Sequence, residues 1–200
     1  MAAGTRRRLT GGQRREAILA AATAVFAERG YNGASVDDVA SAAGVSKALI
    51  YEHFPSKKDL HASLVDREVA DLFARLEANA ASGAHGEALM RGGVDAFLGF
   101  VEERRTAYRM LFRDAADAEV AEVLDRVEAQ AVGLIVALGA EEVRGVPPAD
   151  REVFARLLTG AVRALADWWL DHPDVPRARL VDRVLDFAWT GLREASGPTR

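Results

Sequence analysis

No cysteine occurs among the 200 residues, which excludes disulfides and thiolate metal sites and permits an intracellular location. Lysine is almost as scarce: Lys47, Lys57 and Lys58 are the only three. No apolar run approaches the ~20 residues needed to cross a bilayer, and Arg6, Arg7 and Arg8 are not followed by an apolar stretch of signal-peptide length. The chain is therefore expected to be soluble and cytoplasmic, with no membrane partner. A phosphate-cradling glycine loop is missing, and His53, His61, His85 and His172 are scattered rather than grouped at metal-ligand spacing. His61 and Glu68 stand too far apart along one helix to form a compact pair. Catalytic residues, metal ligands and cofactors are accordingly expected to be none, and the chain is read as a non-enzyme. The alternating pattern of a strand is also absent, so the expected class is all-α.

What the sequence does have is hydrophobic content: half of its residues, enough for a sizeable core in one large or two small domains. The net charge of −4 argues at first against a nucleic-acid partner. Its distribution argues the other way. Residues 1–58 hold nine Lys or Arg against five Asp or Glu, whereas residues 59–200 hold seventeen against twenty-five. A basic head on an acidic body suits a protein whose N-terminal portion meets phosphates, with counterion release making binding salt-dependent.

Within that head, residues 35–57 read as a helix-turn-helix. Ser35 with Asp38 three residues on is a capping-box pattern, and Val36, Val39, Ala40 and Ala43 follow at helical spacing. Gly44 ends this helix because glycine tolerates the left-handed exit, and Val45 can turn inward as a plug. Ser46 caps a second helix of about two turns, which Pro55 terminates through its restriction on Phe54. On the helical wheel Ile50 and Phe54 face the core, leaving Lys47, Ala48, Tyr51 and His53 outward. A lysine charge, a tyrosine hydroxyl and ring, and an alanine small enough for close approach are chemistry suited to a DNA groove. Ser56 and Asp59 repeat the capping pattern beside Lys57, a further site for phosphate.

Upstream, residues 1–10 are expected to form a flexible basic arm. Two roles are open to Arg6–Arg8: reaching the minor groove or phosphates, and serving as a solubilising tail. Thr10 and Gln13 form another capping box for a first helix over about 11–29, with Ile18, Ala22, Val25 and Phe26 as its buried stripe and Gly30 as its end. Tyr31 could buttress the following turn or offer its hydroxyl to a phosphate.

Together, Ile18-Leu19-Ala20-Ala21-Ala22 through Phe26, Gly30-Tyr31, Ser35-Val36-Asp37-Asp38-Val39-Ala40, Ala43-Gly44-Val45-Ser46, Tyr51-Glu52-His53-Phe54 and Ser56-Lys57-Lys58-Asp59-Leu60 resemble the N-terminal domain of the TetR family of transcriptional regulators. The resemblance covers about the first quarter to third of the chain. It implies a three-helix DNA-binding domain followed by an α-helical ligand-binding and dimerisation domain, about nine helices in all. It also implies base or phosphate contacts from Ser46, Lys47, Ala48, Leu49, Tyr51 and His53, with Ser35 and Lys57 on backbone phosphates. Leu49 departs from the family, where a small or hydroxylated residue is common, and offers only apolar contact. His53 has a second reading, as a partly buried histidine holding the helix end. On these grounds the expected divisions are 1–10 (arm), 11–58 (DNA-binding domain) and 59–200 (effector-binding and dimerisation domain).

In the body, apolar periodicity predicts helices over about 56–80, 87–105, 120–138, 150–171 and 178–195, with a short aromatic helix over Tyr108–Phe112 closed by Arg113–Asp117. Gly83–Gly86 and Gly145–Pro148 are breaks, and Ser196–Arg200 are expected to fray. The last two helices carry more apolar surface than a small body needs; the resembling family pairs them across a homodimer. A two-fold dimer also places two reading heads about 34–36 Å apart on successive major grooves. The resemblance further implies a small-molecule effector held between the body helices, for which Phe97, Phe100, Tyr108 and Trp168 are the candidates; Arg104 or Arg105 would matter for an anionic one. Three functions compete: a homodimeric repressor released from double-stranded operator DNA by a ligand, a DNA-binding regulator without small-molecule control, and an all-helical enzyme, for which no residue constellation speaks.

Overall fold

The structure, a computed structural model, describes residues 10–109, 118–139 and 146–195. Arg6–Arg8, Met110–Phe112, Arg113–Asp117, Gly145, Ser196–Arg200 and the side chains of Val120, Val123, Leu124 and Leu192 lie outside the described residues. Within them the secondary structure is helical and without strands: α1 (Gly11–Gly33), α2 (Val36–Ala43), α3 (Lys47–His53), α4 (Lys57–Ala80), α5 (Gly86–Glu103), α6 (Arg105–Tyr108), α7 (Ala118–Gly139), α8 (Pro148–Trp169) and α9 (Arg177–Ala195).

The chain forms two compact units, Met1–Glu68 and Val69–Arg200, whose division falls inside α4 rather than at residue 58. The reason is packing. The first three turns of α4 belong to the head: Leu60, Leu64 and Val65 are buried, the His61 ring meets Phe26 edge-on at 5.3 Å, and Arg67 Nη2 donates to Thr23 Oγ1 at 3.4 Å.

In the first unit each helix starts where a side chain satisfies its orphan N–H groups. Thr10 Oγ1 accepts from Gln13 N and Gln13 Oε1 from Thr10 N, a reciprocal box opening α1. At Gly30 the backbone leaves helical geometry with φ 68°, so α1 kinks there and resumes for one turn instead of ending. Gly44, at φ 65°, takes the left-handed cap of α2. The buried set is Ile18, Leu19, Ala22, Val25 and Phe26 of α1, Val36, Val39 and Ala40 of α2, and Ile50 of α3.

The second unit is built on α5 against α9 and α7 against α8. Its core includes Leu98, Phe100, Tyr108, Ala166, Trp169 and Leu185. The helix expected over 87–105 breaks at Arg104 (φ −118°, ψ 32°), and the following turn, α6, ends on Tyr108, the first residue of the expected aromatic helix. Trp169 Nε1 donates to the Val175 carbonyl at 2.7 Å, tying the α8–α9 connection to the core. Arg177 bridges Asp95 at 2.9 Å and Glu102 at 3.0 Å, fastening the start of α9 to α5.

Candidate functional site

The seven residues of α3 divide sharply between inside and outside. Ile50 is 1% exposed and Phe54, its C-cap, 1%; Tyr51, about 100° round the helix from Ile50, stands 44% exposed. Lys47 and Ala48 are exposed as well, while Leu49 and His53 are half-buried. Ser46 caps the helix, its Oγ accepting from Leu49 N at 3.2 Å. A short helix is thus pinned by Ile50 and Phe54 and presents Lys47, Ala48, Tyr51 and Glu52 to solvent.

The flanking candidates are already engaged. Ser35 Oγ donates to Asp38 Oδ2 at 2.6 Å and accepts from Asp38 N at 3.1 Å, so its hydroxyl serves the α2 capping box. That box, through the Ser35 hydroxyl first and the Ser35 amide second, holds the Asp38 carboxyl below the ordinary aspartate range. Lys57 sits over the Tyr31 ring at 4.3 Å, and Tyr31 in turn meets His61 at 4.8 Å and Phe26 at 6.0 Å. Tyr31 therefore buttresses the turn and seats the lysine that follows α3. Lys47 Nζ reaches Asp37 Oδ2 at 2.7 Å. The hydrogen bond and then the charge of Asp37 raise the Lys47 pKa above the ordinary lysine value, so the group is cationic at neutral pH. Neither the Lys57–Tyr31 nor the Lys47–Asp37 partnership was signalled by the sequence, which carries no mark of pairing between residues 26 and 10 positions apart.

The second unit holds a cavity of about 200 Å³ with an overwhelmingly apolar lining. Leu76 of α4, Met90 and Phe97 of α5, Ile135 of α7, Leu158 of α8 and Trp189 of α9 supply its walls; Asn79, Glu128, Thr159 and Arg163 are its polar groups. Of the four aromatic residues expected at an effector site, only Phe97 is among the lining residues. Phe100 and Tyr108 are fully buried in the core. Tyr108 packs edge-on to Phe97 at 6.1 Å and its hydroxyl donates to Asp167 at 3.1 Å; burial first, then Asp167, pushes its pKa far above the usual phenol value. Trp168 points outward, 44% exposed, stacked on His172 at 4.0 Å. Arg104 and Arg105 are not lining residues either; Arg105 lies over the Trp169 ring at 5.2 Å. Sequence reasoning missed the aliphatic walls, whose only signal was helical periodicity shared with every core residue.

A third surface runs along α8. Val153, Leu157, Ala161, Ala164 and Trp168 recur at helical spacing, and all are exposed, Leu157 at 62%. Phe187 on α9 is 76% exposed. Apolar side chains in a row on a helix are unusual as a solvated face. Among the described residues no group of three His, Cys, Asp or Glu could hold a metal ion, and no helix is long and apolar enough to cross a membrane.

Comparison with known proteins matches residues 18–64 to the profile of bacterial regulatory proteins of the tetR family and residues 86–191 to that of the tetracyclin repressor-like C-terminal domain. The HTH-type transcriptional activator FasR of Mycolicibacterium smegmatis is 28% identical over 195 residues, covering 96% of this chain and 89% of that protein. A TetR-like transcriptional regulator from Rhodococcus sp. RHA1 superposes with a TM-score of 0.80 at 27% identity, covering 93% of this chain and 99% of that one. FadR from Bacillus subtilis in complex with stearoyl-CoA shares the fold, with a TM-score of 0.78 at 18% identity over 88% of this chain and 98% of that one.

Proposed function

The chain belongs to the TetR family and is a DNA-binding transcriptional regulator, and from that premise we propose that it acts as a homodimeric repressor released from its operator by a small apolar or acyl-chain ligand. Operator contact is assigned to Ser46, Lys47, Ala48, Leu49, Tyr51 and His53 around α3, with Ser35 and Lys57 on phosphates. The observation that supports it is the two-sided character of α3, where Ile50 anchors the helix and Tyr51 and Lys47 are presented outward. One such helix reads few base pairs, so useful specificity calls for two copies on a two-fold axis. The exposed α8 stripe and Phe187 support pairing through α8 and α9, the self-complementary surface a two-fold dimer requires.

The ligand half of the reading rests on the cavity. Phe97 is kept in the ligand site, and Leu76, Met90, Leu158 and Trp189 replace Phe100, Tyr108 and Trp168 as its partners. A hydrocarbon would fill such walls, with Thr159 or Arg163 available for a polar end. The solved complex of a protein of the same fold with stearoyl-CoA supports that chemistry. Release of DNA requires the ligand to prefer one of two states, and a coupling of about 1–3 kcal/mol changes DNA affinity roughly 5- to 150-fold.

The test is binding to duplexes that flank the protein's own coding region, at fixed salt, with and without fatty acids, acyl-CoA esters and other hydrophobic small molecules. Loss of binding on addition of one class supports the proposal. Operator binding that no class alters would remove ligand control and leave a regulator tuned by other means. FasR, a relative, is named an activator, so the sign of control has a second reading; a promoter–reporter fusion that loses rather than gains expression on deletion of the protein selects it.

A further inference from the structure

Helix α3 carries a single lysine or arginine, Lys47. Its ammonium does not stand free. It lies 2.7 Å from Asp37 Oδ2, a contact between side chains 48% and 66% exposed. The neighbouring carboxylate has a structural task, since Asp38 completes the α2 capping box with Ser35. Asp37 has none of that kind: the hydrogen bonds that define the box all run between Ser35 and Asp38.

Charge is short in this part of the molecule. Residues 10–68 contain seven Lys or Arg against eight Asp or Glu. Several of the cations are turned to other uses: Arg29 pairs with Asp38 at 2.6 Å, Arg15 lies over Phe54 at 4.9 Å, and Arg67 pairs with Glu68 at 2.6 Å. A phosphate or a guanine edge that takes the Lys47 ammonium has to take it from a carboxylate already at hydrogen-bonding distance.

We propose that Asp37 is an affinity-setting residue of the DNA interface, an internal competitor that draws the one lysine of the reading helix back from DNA phosphates for part of the time in the bound state. This rests on the assignment of α3 as the DNA-reading element. The competitor is exposed, so the exchange is fast and reversible, and it lowers affinity for every duplex. Its physical consequence is countable. A head whose Lys47 is held by Asp37 releases about one fewer DNA counterion than a head whose Lys47 reaches a phosphate, a difference of about 0.9 in the slope of log K against log salt.

The experiment measures binding of the full chain to a fluorescent random-sequence duplex from low to moderate salt, for wild type, Asp37→Asn, Lys47→Ala and the double variant; Asp37→Ser, also tolerated near a helix N-terminus, guards against a local effect of the asparagine. Thermal melts establish that each variant is folded. Asp37→Asn and Asp37→Ser are expected to tighten binding roughly threefold per head, the size of an exposed ion pair. They are also expected to steepen the salt slope, by up to about one per head. In the Lys47→Ala background neither substitution steepens the slope. An unchanged slope with Lys47 present, or the same change in both backgrounds, overturns the competitor role, since bulk charge alone then explains the gain. If Asp37→Asn binds DNA equally well with and without Lys47, the interface assignment itself fails, and the competitor with it.

Discussion

Alanine in place of Gly92 should destabilise the protein only while Asn79 is present. Gly92 lies within α5, and a Cβ built there falls on Asn79 Oδ1 from α4, far inside van der Waals contact. Asn79 cannot simply swing away at no cost, because its Nδ2 donates to the Leu89 carbonyl at 3.0 Å in a part-buried setting. Expelling the carboxamide forfeits that bond, about 0.5–1.5 kcal/mol, and up to roughly 1–3 kcal/mol where the carbonyl stays dry. Alanine returns about 1 kcal/mol through helix propensity. The net for Gly92→Ala is then close to zero where water reaches the carbonyl and a loss of about 1 kcal/mol where it stays dry, as its part-buried setting favours. The sign is more telling than the size: in an Asn79→Ala background the obstruction is gone, and the same substitution should stabilise by up to about 1 kcal/mol. Gly93→Ala, whose Cβ would meet Asn79 Nδ2 at an ordinary 3.6 Å, should behave the same way without the second change. Urea denaturation followed by circular dichroism, at one protein concentration so that any self-association contributes equally, gives the cycle. Equal effects of Gly92→Ala with and without Asn79 would refute the packing assigned to the α4–α5 contact.

Other consequences are as direct. Ser35→Ala removes the α2 cap and should cost about 1 kcal/mol at neutral pH; because the folded-state pKa of Asp38 is depressed, its contribution is complete above the unfolded value near 4 and is lost as pH falls through the lower folded value, so the difference between wild type and variant in pH-dependent melts should shrink in acid. Phe187→Glu, at a position 76% exposed in the single chain, should leave the fold intact yet shift the sedimenting species from twice 21.5 kDa toward 21.5 kDa; a dimer undisturbed by the new charge would exclude this part of α9 from the interface. Met90→Trp should fill the cavity at a packing cost of about 1–3 kcal/mol, leaving DNA binding in place but abolishing its response to any ligand that releases the wild type.

Much of the head was legible because its signals are local. Caps at Thr10, Ser35 and Ser46, the left-handed Gly44 and the stop at Pro55 act within four residues, and each fixes a boundary. The body was legible as helices but not as a site. Phe97, Phe100 and Tyr108 look alike in sequence; whether an aromatic ring faces a void or another side chain depends on what the opposing helices leave unfilled. Trp168 and Trp169 show where more could have been extracted. Neighbours on a helix point about 100° apart, and Trp169 shares its side with Val162 and Ala166, all buried, whereas Trp168 continues the exposed row of Leu157, Ala161 and Ala164. The break at Arg104 has no glycine or proline to announce it, and the pairing of Lys47 with Asp37 arises only when α2 and α3 meet.

Contact between the outer side of α3 and duplex DNA underlies the whole functional assignment. Fluorescence anisotropy on a labelled duplex flanking the coding region, comparing wild type with Lys47→Ala and Tyr51→Ala, tests it most directly. Each variant is predicted to bind at least several-fold more weakly with helicity and oligomeric state unchanged. Dissociation constants identical to wild type in both variants would contradict it.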